Sequence, residues 1–348
     1  MYAMTILKKP DYDNLNENGR RAVLESLSGH YTDFTFLDCR KFECFGLSTE
    51  TAVYLNNGDE FVFVPGGRVV LGWNSISEGI DSRSARELLE SFGFESVRTL
   101  HAYLAARMSP VRSADIPPML VERVPREIGW HRVSPDDPEF SKNKVFRETL
   151  EKFINSKRNE KVIPKALRLR KKDGEITAEL YKPVSYKELI SSSAAAGFRL
   201  PTEDEWEYFC GGGCRTIWRW GDSFNYGYRL RYFGSNRSAG GNYDLEKPNQ
   251  FGLRIANDPC CYEVLMDSEV LLKGGDGGKN IGAKLGPAAG YLPAATYYRC
   301  PEEKEAEPRY LEDIGSGGTC CRRIKRLDEA PLQKKLNALL KKKRSAKD

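Results

Sequence analysis

Histidine is scarce in this chain: His30, His101 and His131 are the only three in 348 residues, and no two are close together. That excludes a histidine-rich metal centre. No apolar run approaches the roughly 18 residues that span a bilayer, so no membrane partner is expected. Met1–Asp11 has no apolar stretch of the kind that opens a secretory leader. Nine cysteines, with Cys260–Cys261 and Cys320–Cys321 adjacent, do not form the pattern of a disulfide framework. The expectation is a reduced, cytoplasmic protein. There is no Gly-x-Ser-x-Gly and no phosphate loop, and Gly274-Gly-Asp-Gly-Gly278 lacks the Lys-Ser/Thr ending of the latter.

What is present is a composition that can build a core, 40% hydrophobic and 30% charged. The net charge of +5 is uneven. Residues 331–348 carry +6, which leaves −1 for everything before them. Leu332, Leu336, Leu339 and Leu340 put a leucine stripe on this tail ahead of Lys341-Lys-Lys-Arg344. The tail reads as a frayed terminal helix, or as an electrostatic handle for nucleic acid or an acidic partner. No base-reading motif and no aromatic stacking pattern accompanies it, and the tail is the only route to nucleic acid that is expected.

Residues 14–28 have helical spacing, and from Asp33 the pattern turns to strands: Asp33–Leu37, Lys41–Phe45, Thr51–Leu55, Glu60–Val64 and Arg68–Leu71. Asn56-Asn-Gly-Asp59 and Pro65-Gly-Gly67 punctuate them as hairpin turns. Helices are predicted over Ser82–Phe92 and Glu95–Met108, and His101 falls on the apolar stripe of the second as a hydrogen-bonded core or boundary histidine. Ile116–Val124 reads as a strand, Asn143–Ile154 as a helix, and the Lys- and Arg-rich Ser156–Lys172 as an exposed excursion. Ser185-Tyr-Lys-Glu188 and Thr202-Glu-Asp-Glu205 are capping boxes, the second opening a short helix that stops at Gly211-Gly-Gly213. Beyond it glycine and aromatic residues interleave and regular structure is expected to fade.

The run Gly197-Phe-Arg-Leu-Pro-Thr-Glu-Asp-Glu-Trp-Glu-Tyr208 resembles the RLPTEAEWEY signature of the formylglycine-generating enzyme, or sulfatase-modifying-factor, family. Other segments follow in that family's order. Phe61-Val-Phe-Val-Pro-Gly-Gly67 with Leu71-Gly72 is similar to its "PGG…MG" pair, and Pro183-Val-Ser-Tyr186 to the lead into the signature. Trp220-Gly-Asp222 matches "WGD", Asn249-Gln-Phe-Gly-Leu253 "N-x-FGL", and Leu272-Lys-Gly-Gly275 "LRGGS". The resemblance spans residues 61–275 and implies an α+β domain of the C-type-lectin-like fold with long irregular loops. The expected organisation is a helical segment 1–30, a main domain 31–327 with an insertion near 75–115, and the basic tail 328–348. Within the signature, Arg199, Thr202, Glu205 and Trp206, with Trp220 and Asp222 after it, read as structural: a capping box, a core tryptophan and an ion-pairing surface.

In the family's oxidase the glycine pair is followed by Ser, two residues, Cys, four residues and Cys, and those thiolates hold copper. Counted without a gap, the serine position here is Asp276 and the cysteine positions are Lys279 and Lys284. An ammonium group cannot ligate a cuprous ion. No copper cofactor and no formylglycine chemistry are therefore expected. The family's calcium segment corresponds to Asn257, Asp258 and Glu263, whose oxygens suit calcium. The alternative for these three is an Asn-Asp-Pro turn followed by a solvated Glu. Two functions follow: a non-catalytic module binding a ligand, protein or peptide through the family's cleft, or an enzyme with rewired chemistry, oxidoreductase or other, built from Asp276, Lys279, Asn280 and Lys284.

Overall fold

The strand-rich stretch after Asp33 folds as the meander its turns require. The computed structural model describes residues 6–172, 174–234, 243–267, 270–300 and 311–327, and the basic tail 328–348 lies outside the described residues. Thr35–Cys44, Leu47–Asn56, Asp59–Val64, Met119–Glu122 and Ile324–Arg326 form, in that order, a five-stranded sheet whose neighbours are all antiparallel. Asn57 and Gly58, at φ of 49° and 89°, make the tight hairpin turn. The two short strands read at Asp33–Leu37 and Lys41–Phe45 are one ten-residue strand. A register shift between Phe36 and Asp38 lets it continue where separate strands were expected.

Alternation along these strands divides the core. Ala52, Tyr54, Phe61 and Phe63 face the helix Glu17–Ser28, meeting Val23, Leu24 and Leu27. The Tyr54 hydroxyl donates to the Leu24 carbonyl at 2.7 Å. Val53, Val62, Val64 and Val121 point the other way, into a larger core with Trp206, Phe209, Trp218, Leu253 and Tyr297. Period-two side-chain direction is the cause of both layers.

The helices of the 75–115 region are Ser82–Phe92, capped by Asp81 and closed by Gly93, and Val97–Ala105, capped by Ser96. Leu88, Leu100 and Leu104 are fully buried. His101 sits at the boundary, its Nε2 3.0 Å from the Asn74 carbonyl and its ring 5.3 Å from that of Trp73. Gly67–Leu71 pairs with Arg112–Ile116 as a separate two-stranded antiparallel sheet.

The segment read as an exposed excursion is instead part of a sheet. Trp130–Val133, Glu175–Tyr181, Leu167–Lys172 and Glu160–Ile163 are its neighbours in order. The helices Pro138–Ser141 and Lys144–Ile154 help to close a small core of Phe140, Phe153, Leu167, Leu169, Ala178 and Leu180. Each such buried Leu or Phe contributes about 1.5–3 kcal/mol, enough to order a segment whose composition looks solvated. Lysines and arginines dominate the count, yet Leu167 and Leu169 alternate with them and face inward.

Both capping boxes are present with reciprocal bonds, at the helices Tyr186–Ala195 and Glu203–Gly211. Among the described residues between Gly211 and Tyr262, regular structure is limited to the 3-10 turn Asp244–Glu246. A last sheet, Val270–Lys273, Tyr262–Met266, Thr319–Cys321 and Arg126–Glu127, contains one parallel pairing, of 262–266 with 319–321. Through Arg322 and Arg323 the chain then crosses into the five-stranded sheet. The class is α+β. No described helix is long and apolar enough to cross a membrane.

Candidate functional site

The carboxylates of the signature helix were expected at a surface, and the structure corrects this. Glu203 and Glu207, one turn apart, face inward beside Trp206, which is fully buried. They meet Lys273, whose side chain has no solvent exposure, at 3.5 and 2.9 Å. Arg112 reaches Glu207 at 2.9 Å, and Arg299 Nε reaches Glu203 at 2.7 Å. Burial would raise the Glu203 pKa, but the Arg299 hydrogen bond and the charges of Lys273, Arg299 and Arg112 hold it down at about 2. Glu205 closes the capping box with Thr202 and takes an ion pair from Arg326 at 2.6 Å. Inward carboxylates need cations, and distant strands supply them.

The other signature residues are structural in the same sense. Arg199 pairs through its backbone with Ile324, at 3.0 and 2.8 Å, and its Nε donates to the Leu200 carbonyl. Asp222, 1% exposed, accepts from the backbone N–H groups of Ser77, Glu78 and Ile217 at 2.7–2.9 Å. Trp220 lies parallel to Trp218, ring centroids 5.8 Å apart, with Phe45, Phe224 and Tyr228 around it.

Beside this network a cleft of about 210 Å³ is lined by residues of the 254–258 loop, the strand Tyr262–Met266 and Lys273–Gly274. The motif glycines put the chain there. A Cβ on Gly275 would meet the Cys261 carbonyl oxygen at 2.1 Å, and Gly274 has φ of 85° with Trp206 close by. Most charges of the lining are already matched. Glu263 receives Arg322 on both oxygens at 2.9 Å, and both side chains are buried. Asp258 Oδ1 accepts from the Tyr232 hydroxyl at 2.8 Å and the Cys260 N–H at 2.9 Å. Arg231 pairs with Glu246 at 2.7 Å. Arg254 is exposed, and its guanidinium has no ionic or hydrogen-bonded partner among the described residues.

Asn257, Asp258 and Glu263 thus share the wall of one cleft, but they do not offer a calcium shell. Both Glu263 oxygens are engaged by Arg322, and Asp258 Oδ1 is taken by two donors. Among the described residues no three of His, Cys, Asp and Glu gather around a point that a metal could occupy. Asp276 lies elsewhere and is buried. Its oxygens accept from the N–H groups of Gly278, Lys279 and Asn280 at 2.8–3.0 Å, capping the short helix Lys279–Gly282. Burial pushes its carboxyl up, against the pull of those N–H groups. Lys279 and Lys284 are exposed, and Asn280 Nδ2 is turned to the Ala289 carbonyl. The four do not converge in a closed pocket.

Sequence reasoning missed Arg254, Cys261 and Cys320 as lining residues. Only an acidic and glycine-rich neighbourhood marked the place. Burial pushes the Cys261 thiol up to about 12 and that of Cys320 well above its ordinary value. Cys320 Sγ donates to the Tyr262 carbonyl at 3.0 Å. Cys210 and Cys214 both approach Thr296 Oγ1, at 3.6 and 3.7 Å, and burial pushes Cys214 up to about 11. Protonated thiols are poor metal ligands and nucleophiles. All nine cysteines are free, so denatured, unreduced protein should give nine thiols with a disulfide-exchange reagent. In the folded protein at neutral pH, Cys210, Cys320 and Cys321 should stay unmodified, as peptide mass mapping would show. A count below nine would contradict a reduced chain.

A comparison with protein-family models and with curated proteins finds no match to this chain.

Proposed function

We propose that the chain is a non-catalytic binding module on a formylglycine-generating-enzyme scaffold of the C-type-lectin-like fold. The cleft at Arg254 receives a protein or peptide segment carrying a carboxylate. The ordered motifs from Phe61 to Gly275 and the irregular structure of the described residues between 212 and 261 support the scaffold. Nine free thiols support a reduced, cytoplasmic setting. One observation carries the binding reading. Charged groups along the cleft are committed to partners within the fold, whereas the Arg254 guanidinium is exposed and has no partner among the described residues.

The enzyme alternative asks Asp276, Lys279 and Lys284 to act together. Asp276 spends its oxygens on backbone N–H groups of its own turn, and Lys279 and Lys284 are exposed rather than enclosed with it in a pocket. A cuprous ion does not fit lysine positions, and calcium does not fit a carboxylate engaged by Arg322. The reading therefore includes no metal.

The test is selection from a displayed library of random short peptides, followed by calorimetry on the synthesised winners. Winners should carry an acidic residue. Arg254→Glu should weaken them by about 10–100-fold, the worth of a charge-assisted hydrogen bond. No enriched peptide, equal binding by the variant, or a mass change in the peptide on incubation would each defeat the reading.

A further inference from the structure

Residues 142–172 hold twelve Lys and Arg against three Asp and Glu, and the fold neutralises only some of these cations. On one face of the Leu167–Lys172 strand Arg168 and Arg170 are neutralised, and Lys172 at its end is exposed. Arg168 pairs with Glu179 at 2.6 Å and also with Glu127, and Arg170 pairs with Glu160 at 2.9 Å. The opposite face carries Leu167 and Leu169 into the small core and ends in Lys171. That ammonium donates to the Ile154 and Ser156 carbonyls at 2.9 and 2.7 Å and lies 4.9 Å from the Phe153 ring centroid. It thereby covers the negative end of the helix Lys144–Ile154.

Next to this cap lies a groove of about 380 Å³, lined by Thr149, Lys152, Phe153, Ser156, Arg158 and Lys161. Its lining contains three cations, two hydroxyls and no carboxylate. Lys152, Arg158 and Lys161, and the adjacent Lys157, are exposed and have no ionic partner among the described residues. Among the described residues Arg168 and Arg170 are matched within the sheet, whereas every cation lining the groove lacks an ionic partner; Lys142, Arg147 and Lys172 lack one too but do not line it.

We propose that this groove binds the phosphodiester backbone of a single nucleic-acid strand. Unmatched cations with neighbouring hydroxyls are what a run of phosphates needs. No aromatic face is offered to bases, since Phe153 is buried, so binding is sequence-independent. A lipid surface fits less well. The exposed apolar residues of the helix, Val145 and Ile154, are half a turn apart on a 3.6-residue repeat and give no inserting face. An acidic peptide added as a strand fits less well too. The edge strand Glu160–Ile163 carries Lys161 and is followed by Pro164, both guards against strand addition.

The test is fluorescence anisotropy of labelled oligouridylate and oligothymidylate with the full chain, from about 50 to 200 mM salt. Three phosphate contacts predict a log–log salt slope of about −2 from the groove alone. The variant K152Q/R158Q/K161Q should lose that slope and bind at least about tenfold more weakly at the low-salt end. K152R/R158K/K161R, which keeps the charges, should bind like the parent, which separates charge loss from misfolding. Glutamine at positions 341–344 tests the tail independently and should leave the groove-dependent part intact. The proposal fails if the groove variant binds oligonucleotide like the parent or if tail neutralisation alone abolishes binding. It also fails if phosphatidylserine vesicles or polyglutamate, rather than oligonucleotide, lose binding on groove neutralisation.

Discussion

Replacing Arg322 by Met is expected to lower the free energy of unfolding by about 3–5 kcal/mol, the cost of stranding a buried charge. Arg322 has no solvent exposure and sits where the chain leaves the strand Thr319–Cys321 for the strand Ile324–Arg326. It donates to both oxygens of Glu263, to the Glu122 carbonyl and to the Arg254 carbonyl. One side chain therefore ties two sheets and the cleft loop together. Methionine keeps much of the stem's volume, so the loss measures unpaired Glu263 and two orphaned carbonyls rather than a cavity. The double variant Arg322→Met with Glu263→Leu should recover part of the loss, because no buried charge is then left alone. It should stay below the parent, because the two carbonyls remain unbonded. Urea unfolding of the four proteins of this cycle reads the result. A single-variant loss under about 1 kcal/mol, or a double variant no better than the single, would show that Glu263 reaches solvent or another cation.

This pair also shows where sequence reading runs out. Local signals were legible. The helix Ser82–Phe92 was predicted residue for residue, since its stripe, the Asp81 cap and Gly93 all lie within thirteen positions. The two capping boxes and the turn at Asn57-Gly58 were readable for the same reason. The strands Thr319–Cys321 and Ile324–Arg326 were not, because three residues carry no periodicity. Their pairing with Tyr262–Met266 and Met119–Glu122 is set far along the chain. In the candidate site, Asn257, Asp258 and Glu263 were singled out and do line one cleft, but Glu263 takes its partner from 59 residues away. Asp276 was singled out within a glycine-rich run and serves as a local cap. A short acidic side chain before glycines gives the same signal for either role. The inward turn of Glu203 and Glu207 could not be read from their spacing, because an i, i+4 pair marks a helix face without saying what covers it.

What covers it sets the second large effect. Lys273→Met should cost about 3–5 kcal/mol at neutral pH, since among the described residues Glu203 and Glu207 would keep only Arg112 and Arg299 in a buried site. The loss should depend on pH in a defined direction. A carboxyl whose folded pKa is depressed adds stability above its unfolded value, near 4.5, and loses it as the pH falls toward the folded value, here about 2 for Glu203. The parent should therefore weaken steadily across that window. Without Lys273 the carboxyl loses one of the charges that hold it down, so its folded pKa rises and the variant sheds less stability on acidification. The gap between the two proteins should be widest near pH 7 and narrow as the pH drops below 4.5. Urea midpoints measured at a series of pH values would show it. A gap constant across the window would mean that Arg299 and Arg112 alone set the Glu203 titration and that Lys273 contributes only to packing, 5.7 Å from the Trp206 ring centroid.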